Sequence, residues 1–322
     1  MQQRNLGDSG LRVSSMALGT MSWGRDTDAD EAATQLVAFV DAGGTLLDTA
    51  DVYCDGDSER LLGELIGDLV PRTDVVLATK AVARRHAGPF GGGASRGALL
   101  AALEGSLRRL GVDHVDLWQL HAWDSSVPLQ ETLAALDHAV SSGKARYVGV
   151  SNYAGWQLAS AACLQRSPAQ LVSTQVEYSL AERGVEREVV PAATHHGIGL
   201  LPWAPLGRGV LTGKYRNGTP ADSRGASGHY AGYVEHHRTE RVSRIVEAVL
   251  TAADGLGVSP MAVALAWVRD QPGVVAPVLG ARDSAQLAGL LAADVLTLPQ
   301  TIRDALEDVS AIEFGYPERW PH

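Results

Sequence analysis

Three pieces of the segment 75–120 decide the fold: the apolar run Val75-Val76-Leu77-Ala78-Thr79, the stretch Arg96 to Leu110 opened by Ser95, and the run Val115-Asp116-Leu117-Trp118-Gln119-Leu120. Both runs have strand length, and the stretch between them is amphipathic with a capping serine. Strand, helix and strand in that order form a crossover between parallel strands. The same rhythm continues outward. Further strand candidates are Met16 to Gly19, Thr45 to Asp48, Tyr147 to Val150, Ser173 to Glu177, Gly199 to Trp203 and Val274 to Val278. Helix candidates lie between them at Glu31 to Asp41, Glu59 to Leu69, Pro128 to Ser142, Trp156 to Gln165, Arg187 to His196, Ser259 to Arg269 and Ser284 to Ala292.

Eight strands, each followed by a helix and with no break in composition, predict a closed (β/α)8 TIM barrel of class α/β, with a doubly wound open sheet as the alternative. The barrel would be one domain over 1–322. Arg4 to Ser15 reads as a β-hairpin (1–15) capping the barrel bottom. Leu206 to Arg238 followed by Thr239 to Leu256 reads as a long loop plus an extra helix after the seventh strand (204–258), and loops of that length are usually functional or disordered. A C-terminal helix and tail fill 295–322.

The composition narrows the function. The 322 residues are 45% hydrophobic and 20% charged, as in an ordinary globular protein. A net charge of −10 is the wrong sign for a nucleic-acid surface. No apolar stretch is fit to target or cross a membrane, and two cysteines, Cys54 and Cys163, imply no disulfide framework, so a cytoplasmic location is expected. No heptad or apolar stripe announces an interface, which leaves the oligomeric state open.

In such a barrel the reactive groups stand at the carboxyl ends of the strands. Asp48 and Tyr53 follow the second strand, Lys80 the third and His121 the fourth. Singly, each reads as a capping carboxylate, a loop aromatic, a solvated strand end or a rim histidine. Together they form a proton donor: an ammonium stabilises the phenolate of a phenol whose ordinary pKa is ~10, a carboxylate holds the ammonium, and a neutral imidazole orients a carbonyl oxygen.

An acid of this kind needs a partner that turns the carbonyl into an alkoxide, and hydride from a nicotinamide is the expected one. Ser151, Asn152 and Gln175 can bind a carboxamide, and Trp203 offers a flat face to a ring. The Gly207-Arg208-Gly209 turn suits a pyrophosphate, and Gly280-Ala281-Arg282 makes an anion site before the last strand-linked helix. The GxGxxG of an ordinary dinucleotide fold is missing after the first strand. No metal is expected: the pairs His195-His196 and His236-His237, with His229, lack a completing carboxylate or thiol. Cys54 reads as inert, and the glycine-rich stretch His86 to Gly97 as a linker or substrate loop.

These motifs resemble the aldo-keto reductase superfamily over essentially the whole chain. Leu6-Gly7-Asp8-Ser9-Gly10-Leu11 with Leu18-Gly19-Thr20-Met21 resembles the family's opening, and Asp48-Thr49-Ala50-Asp51-Val52-Tyr53 with Ser58-Glu59 its first signature. Leu117 to His121, Gly149 to Asn152, Gln175 to Ser179 and Pro205 to Gly209 continue the match, closest to the bacterial and potassium-channel-β-like branches. The resemblance implies a catalytic tetrad of Asp48, Tyr53, Lys80 and His121, with Tyr53 as proton donor to a small-molecule carbonyl substrate and NADPH, rather than NADH, as cofactor. It implies that Ser151, Asn152 and Gln175 hold the carboxamide, that Trp203 stacks on the nicotinamide and that Leu206, Gly207 and Arg208 line the pyrophosphate. Arg282, Ser284 and Gln286 would lie near the adenosine phosphate. Trp23, Trp123 and Trp320 become candidates for an aromatic substrate pocket. Three departures stand out: Trp203 replaces a common tyrosine, Gly289 and Leu290 replace an acidic residue and asparagine near the adenine, and Asp283 brings negative charge beside Arg282. A nicotinamide-sensing regulatory subunit, like the channel-β proteins, is the alternative function.

Overall fold

The computed structural model describes residues 1–165, 170–228, 231–316 and 318. A short antiparallel hairpin, β1 (Gln3–Asn5) and β2 (Arg12–Ser14), precedes the barrel. The barrel strands are β3 (Ala17–Gly19), β4 (Leu46–Asp48), β5 (Val76–Ala81), β6 (Val115–Leu120), β7 (Ala145–Ser151), β8 (Leu171–Glu177), β9 (Gly199–Trp203) and β10 (Val278–Leu279). They pair in parallel in the order β10-β3-β4-β5-β6-β7-β8-β9, making a nearly closed (β/α)8 barrel. The open-sheet alternative falls with this order, because β10 returns to β3.

The eighth strand is shorter than expected. Val274 to Val278 does not run as one strand, since Pro277 has no N–H to donate to a ladder. The segment instead splits its partners. On the β9 side the Leu200 N–H donates to the Gly273 carbonyl and the Val275 N–H donates to the Leu200 carbonyl, while Val278 and Leu279 pair with β3. The barrel closes through two half-strands.

Helices α1 (Ala29–Asp41), α2 (Asp57–Leu65), α3 (Arg96–Leu110), α4 (Leu129–Ser141), α5 (Gly155–Leu164) and α6 (Val189–His195) return the chain between strands. α2 stops earlier than its apolar pattern suggests because Gly67 takes φ 98 and turns the chain back. Beyond β9, the segment 206–238 is not structureless: it contains short turns of helix at 207–212 and 224–226 and the helix α7 (Ala231–Glu235). Among the described residues four more helices follow: α8 (Glu240–Leu256), α9 (Pro260–Arg269), α10 (Ser284–Leu291) and α11 (Gln300–Ser310). Asp28, Ser95, Thr239, Ser259 and Asp283 each accept a backbone N–H at the start of their helix, as their residue types predict. Among the described residues no single helix is long and apolar enough to cross a membrane.

The barrel interior is layered. Leu6 and Val13 of the hairpin, with Ala17, Leu46, Ala78, Leu117 and Leu201, form an apolar plug at the bottom. Gly7 lets the hairpin approach closely, since a Cβ there would lie 2.4 Å from the Gly197 carbonyl oxygen. Side chains on one face of a strand recur every second residue. The residues two above Leu46, Ala78, Leu117 and Leu201 are Asp48, Lys80, Gln119 and Trp203. The polar layer therefore stands directly on the apolar plug, at the end of the barrel opposite the hairpin.

Candidate active site

Lys80 is the centre of this layer and is fully buried. Its ammonium donates to Asp48 Oδ2 at 2.7 Å, to the Thr49 carbonyl at 2.8 Å and to Tyr53 Oη at 3.3 Å. An ammonium has three protons, and all three have acceptors. Burial works against the charge, but Asp48 and Tyr53 outweigh it and raise the Lys80 pKa above its ordinary value. The Asp48 carboxylate accepts a further bond on Oδ1 from Gln175 Nε2 at 2.8 Å.

Tyr53 enters from a tight turn in which Cys54 and Asp55 take left-handed conformations, φ 49 and 53. Strained backbone of this kind is tolerated where the surroundings over-determine it. His121 meets the Tyr53 ring edge-on at 5.8 Å. Burial first, and the nearby Lys80 charge second, push its pKa down to about 3, so the imidazole is neutral at ordinary pH. The four side chains read from the strand ends thus lie together.

The groups expected to hold a nicotinamide adjoin them. Asn152, at φ 57, donates through Nδ2 to the His121 carbonyl at 2.9 Å and to Ser151 Oγ at 3.1 Å. Its Oδ1 accepts from Trp203 Nε1 at 3.0 Å. Arg208 stacks its guanidinium between the rings of Trp203 and Tyr233, at 5.0 and 4.6 Å, and pairs with Glu177 at 3.3 Å. His237 bonds the same carboxylate at 3.0 Å. Burial would raise the Glu177 pKa, yet His237 and Arg208 together hold it below the ordinary carboxylate value. Gly207, Arg208 and Gly209 have φ of 54, 58 and 91, a tight left-handed turn that continues from Leu206.

At the far end, Gly280, Arg282, Ser284 and Gln286 cluster around the start of α10. Gln286 Oε1 accepts from the Arg282 N–H at 3.2 Å, and Arg282 donates to the Asp222 carbonyl. Asp283 is the N-cap: its two oxygens accept from the Gln286 backbone and side chain at 2.8 and 2.7 Å. Arg224 was not read from the sequence; its Nη2 would lie 3.3 Å from a Cβ on Gly280. Only its place in a long glycine-rich loop could have signalled it.

Trp23 requires correction. It is 0% exposed and packed in the main core, with Nε1 bonded to Gln35 Oε1 at 3.3 Å, so it lines no open pocket. Loop position alone did not reveal that α1 covers it. Trp123 is half-buried and packs edge-on against Tyr153 at 5.2 Å and Trp156 at 5.4 Å, the first in the turn after β7 and the second at the start of α5. Trp320 and His229 lie outside the described residues.

Two buried carboxylates of the first signature, for which the sequence suggests no role, also adjoin the site. Asp51, two residues before Tyr53, pairs with Arg85 at 3.0 Å, and burial pushes its pKa up to about 7 despite that partner. Glu59 accepts from Thr79 at 2.6 Å and Arg109 at 2.7 Å. Burial raises the Cys54 thiol, which donates to the Met21 carbonyl. Among the described residues no group of three or more His, Cys, Asp or Glu side chains converges as a metal site.

The aldo/keto reductase family model matches residues 15–311. The chain belongs to that family. It is 35% identical over 328 residues to a probable voltage-gated potassium channel subunit beta of Arabidopsis thaliana, covering 99% of this chain and 100% of that one. It is 38% identical over 320 residues to the uncharacterized oxidoreductase YrpG of Bacillus subtilis (96% of each). The L-glyceraldehyde 3-phosphate reductase of Escherichia coli is 33% identical over 296 residues, 89% of this chain and 86% of that protein. Family and relatives together make this aldo/keto reductase an oxidoreductase, of a family that generally uses NAD(P)H on small-molecule carbonyl compounds.

Proposed function

We propose that this protein reduces an aldehyde or ketone to an alcohol with NADPH, using Tyr53 as the general acid. The observation that carries the reading is the fully buried Lys80 ammonium, bonded at once to Asp48 and to the Tyr53 hydroxyl beside a neutral histidine.

The residues present fit a nicotinamide dinucleotide. Trp203 offers an aromatic face, Asn152 and Gln175 offer amides, Leu206 to Arg208 form a tight turn, and Arg224 and Arg282 flank Gly280 with positive charge. Ser151, Asn152 and Gln175 would hold the carboxamide, Trp203 the nicotinamide ring, Leu206, Gly207 and Arg208 the pyrophosphate, and Gly280, Arg282, Ser284 and Gln286 the adenosine phosphate. The Asp283 oxygens are directed at Gln286, where they cap α10, rather than at Arg282, so the Arg282 guanidinium is the charge offered to a 2′-phosphate, which favours NADPH over NADH. When bound, the cofactor supplies hydride to the carbonyl carbon.

The chain's own residues handle the proton. Tyr53 Oη donates to the carbonyl oxygen as negative charge develops there. Lys80, held by Asp48 and the Thr49 carbonyl, stabilises the phenolate left behind. His121, being neutral, adds no second positive charge and carries one N–H with which to orient the oxygen. Trp123, backed by Tyr153 and by Trp156, would form an aromatic wall for substrate.

A panel of aldehydes and ketones with NADPH or NADH, read by loss of dihydronicotinamide absorbance, tests this. Turnover with higher kcat/KM for NADPH is expected. The similarity to channel β subunits favours a second reading, a nicotinamide-sensing regulatory subunit. That reading predicts tight NADPH binding with no turnover on any carbonyl.

A further inference from the structure

Asp48 and Gln175 face each other across the barrel. β8 is four strands from β4 in the eight-stranded order, so their bond spans the full width of the mouth. Both side chains are buried. A carboxylate only accepts hydrogen bonds, so the amide nitrogen of Gln175 must face Asp48. This leaves Oε1 and the second N–H for other partners.

The bond matters because the terminal torsion of an aspartate is soft, with broad and roughly two-fold preferences. Lys80 alone fixes one oxygen and leaves the carboxylate plane free to turn about it. A second donor on Oδ1 fixes the plane, and with it the line from Oδ2 through Lys80 Nζ to Tyr53 Oη. Resting on the function proposed above, we infer that Gln175 is a positioning residue for the proton donor: its amide locks Asp48 and so aims Lys80 at Tyr53. Any part it takes in holding a nicotinamide carboxamide is additional to this.

Gln175→Met has similar length and no donor. At saturating NADPH its kcat should fall about 10-fold to 100-fold, with a larger solvent deuterium isotope effect, because the proton step is misaligned. The NADPH dissociation constant, read by fluorescence titration, should rise by about 10-fold or less through the lost carboxamide contact, and it also reports that the variant is folded. In the double variant Gln175→Met/Asp48→Asn, the loss should match that of Asp48→Asn alone, since one residue acts through the other. Gln175→Glu keeps a donor only while protonated, so its turnover should recover as pH falls.

Additive losses in the double variant, or a Gln175→Met whose whole defect lies in NADPH affinity with kcat and isotope effect unchanged, would overturn the inference alone. A wild-type chain that oxidises NADPH with none of the carbonyls, whether or not it binds the cofactor, overturns the proposed function and this inference with it.

Discussion

Across the barrel mouth, β4, β5 and β6 hold their polar groups in short connections and buried pairs, whereas β8, β9 and β10, apart from Gln175 on Asp48, meet the 206–238 excursion. On the first side, Lys80 has three acceptors, both Asp48 oxygens are bonded, and His121 is neutral. On the second, the cations are satisfied by the protein itself. Arg208 lies between two rings and against Glu177, and Arg282 donates to a backbone carbonyl. The first side has the form of a preorganised electrostatic device, whose groups need no rearrangement at the moment of reaction. The second consists of contacts that an anionic ligand could exchange for its own. Proton donation and cofactor binding should therefore respond to mutation in separable ways.

The largest expected effect breaks the first side. Tyr53→Phe removes the proposed acid and keeps the ring against His121, so kcat should fall by roughly 10²-fold to 10⁴-fold. NADPH affinity, measured by fluorescence titration, should stay within about 3-fold, because the lost hydroxyl belongs to the acid side. A matching loss of cofactor affinity would show that the two sides are not separable.

Arg282→Ala probes the second side. Removing a charge-assisted contact to a 2′-phosphate should weaken NADPH binding by roughly 10-fold or more and leave NADH binding nearly unchanged. Turnover at saturating NADPH should hold. Equal weakening of both cofactors would assign Arg282 to holding Asp222 and the loop, not to the phosphate.

The two sides also differed in how much of them the sequence disclosed. On β4, β5 and β6 the period of two runs unbroken into the polar residues, so the sequence discloses strand ends and site residues together: Leu46 to Asp48, Ala78 to Lys80, Leu117 to His121. Near β10 the reading failed, because a proline divides one apolar run between two partners and periodicity does not say which partner each half takes. Arg224 and Tyr233 were invisible for another reason. They stand in an excursion whose path depends on tertiary contacts such as His237 with Glu177, and no local pattern encodes those. Trp23 shows the converse: a large aromatic near the mouth looked like pocket lining, and only the packing of α1 buries it. The Asp51–Arg85 pair was hidden because a carboxylate in a loop normally faces solvent.

That pair yields the smallest and most specific prediction, a pH dependence of stability confined to the acid side. Asp51 is faced by Arg85, Glu59, Arg109 and Lys80, and its pKa rises from an ordinary 3.8 to about 7 on folding. Between those values the folded protein keeps a proton that the unfolded chain has released. Its contribution is therefore complete below 3.8 and is lost as pH rises through about 7. His121 works in the opposite direction. Its pKa falls from 6.5 to about 3, so between those values the unfolded chain takes up a proton that the folded protein refuses, and stability drops as pH falls. The two slopes oppose each other where their windows overlap, and the wild-type melting temperature should be flatter there than that of either variant. Against wild type, Asp51→Asn should gain melting temperature as pH is raised from about 5 to about 8, and His121→Phe should gain as pH is lowered from about 6.5 to about 4. The same shift of His121 leaves kcat/KM without a histidine limb near neutrality. An inflection near the ordinary histidine value that disappears in His121→Phe would mean that the imidazole is wetter than its surroundings imply, and that the acid side is less completely formed than its hydrogen bonds suggest.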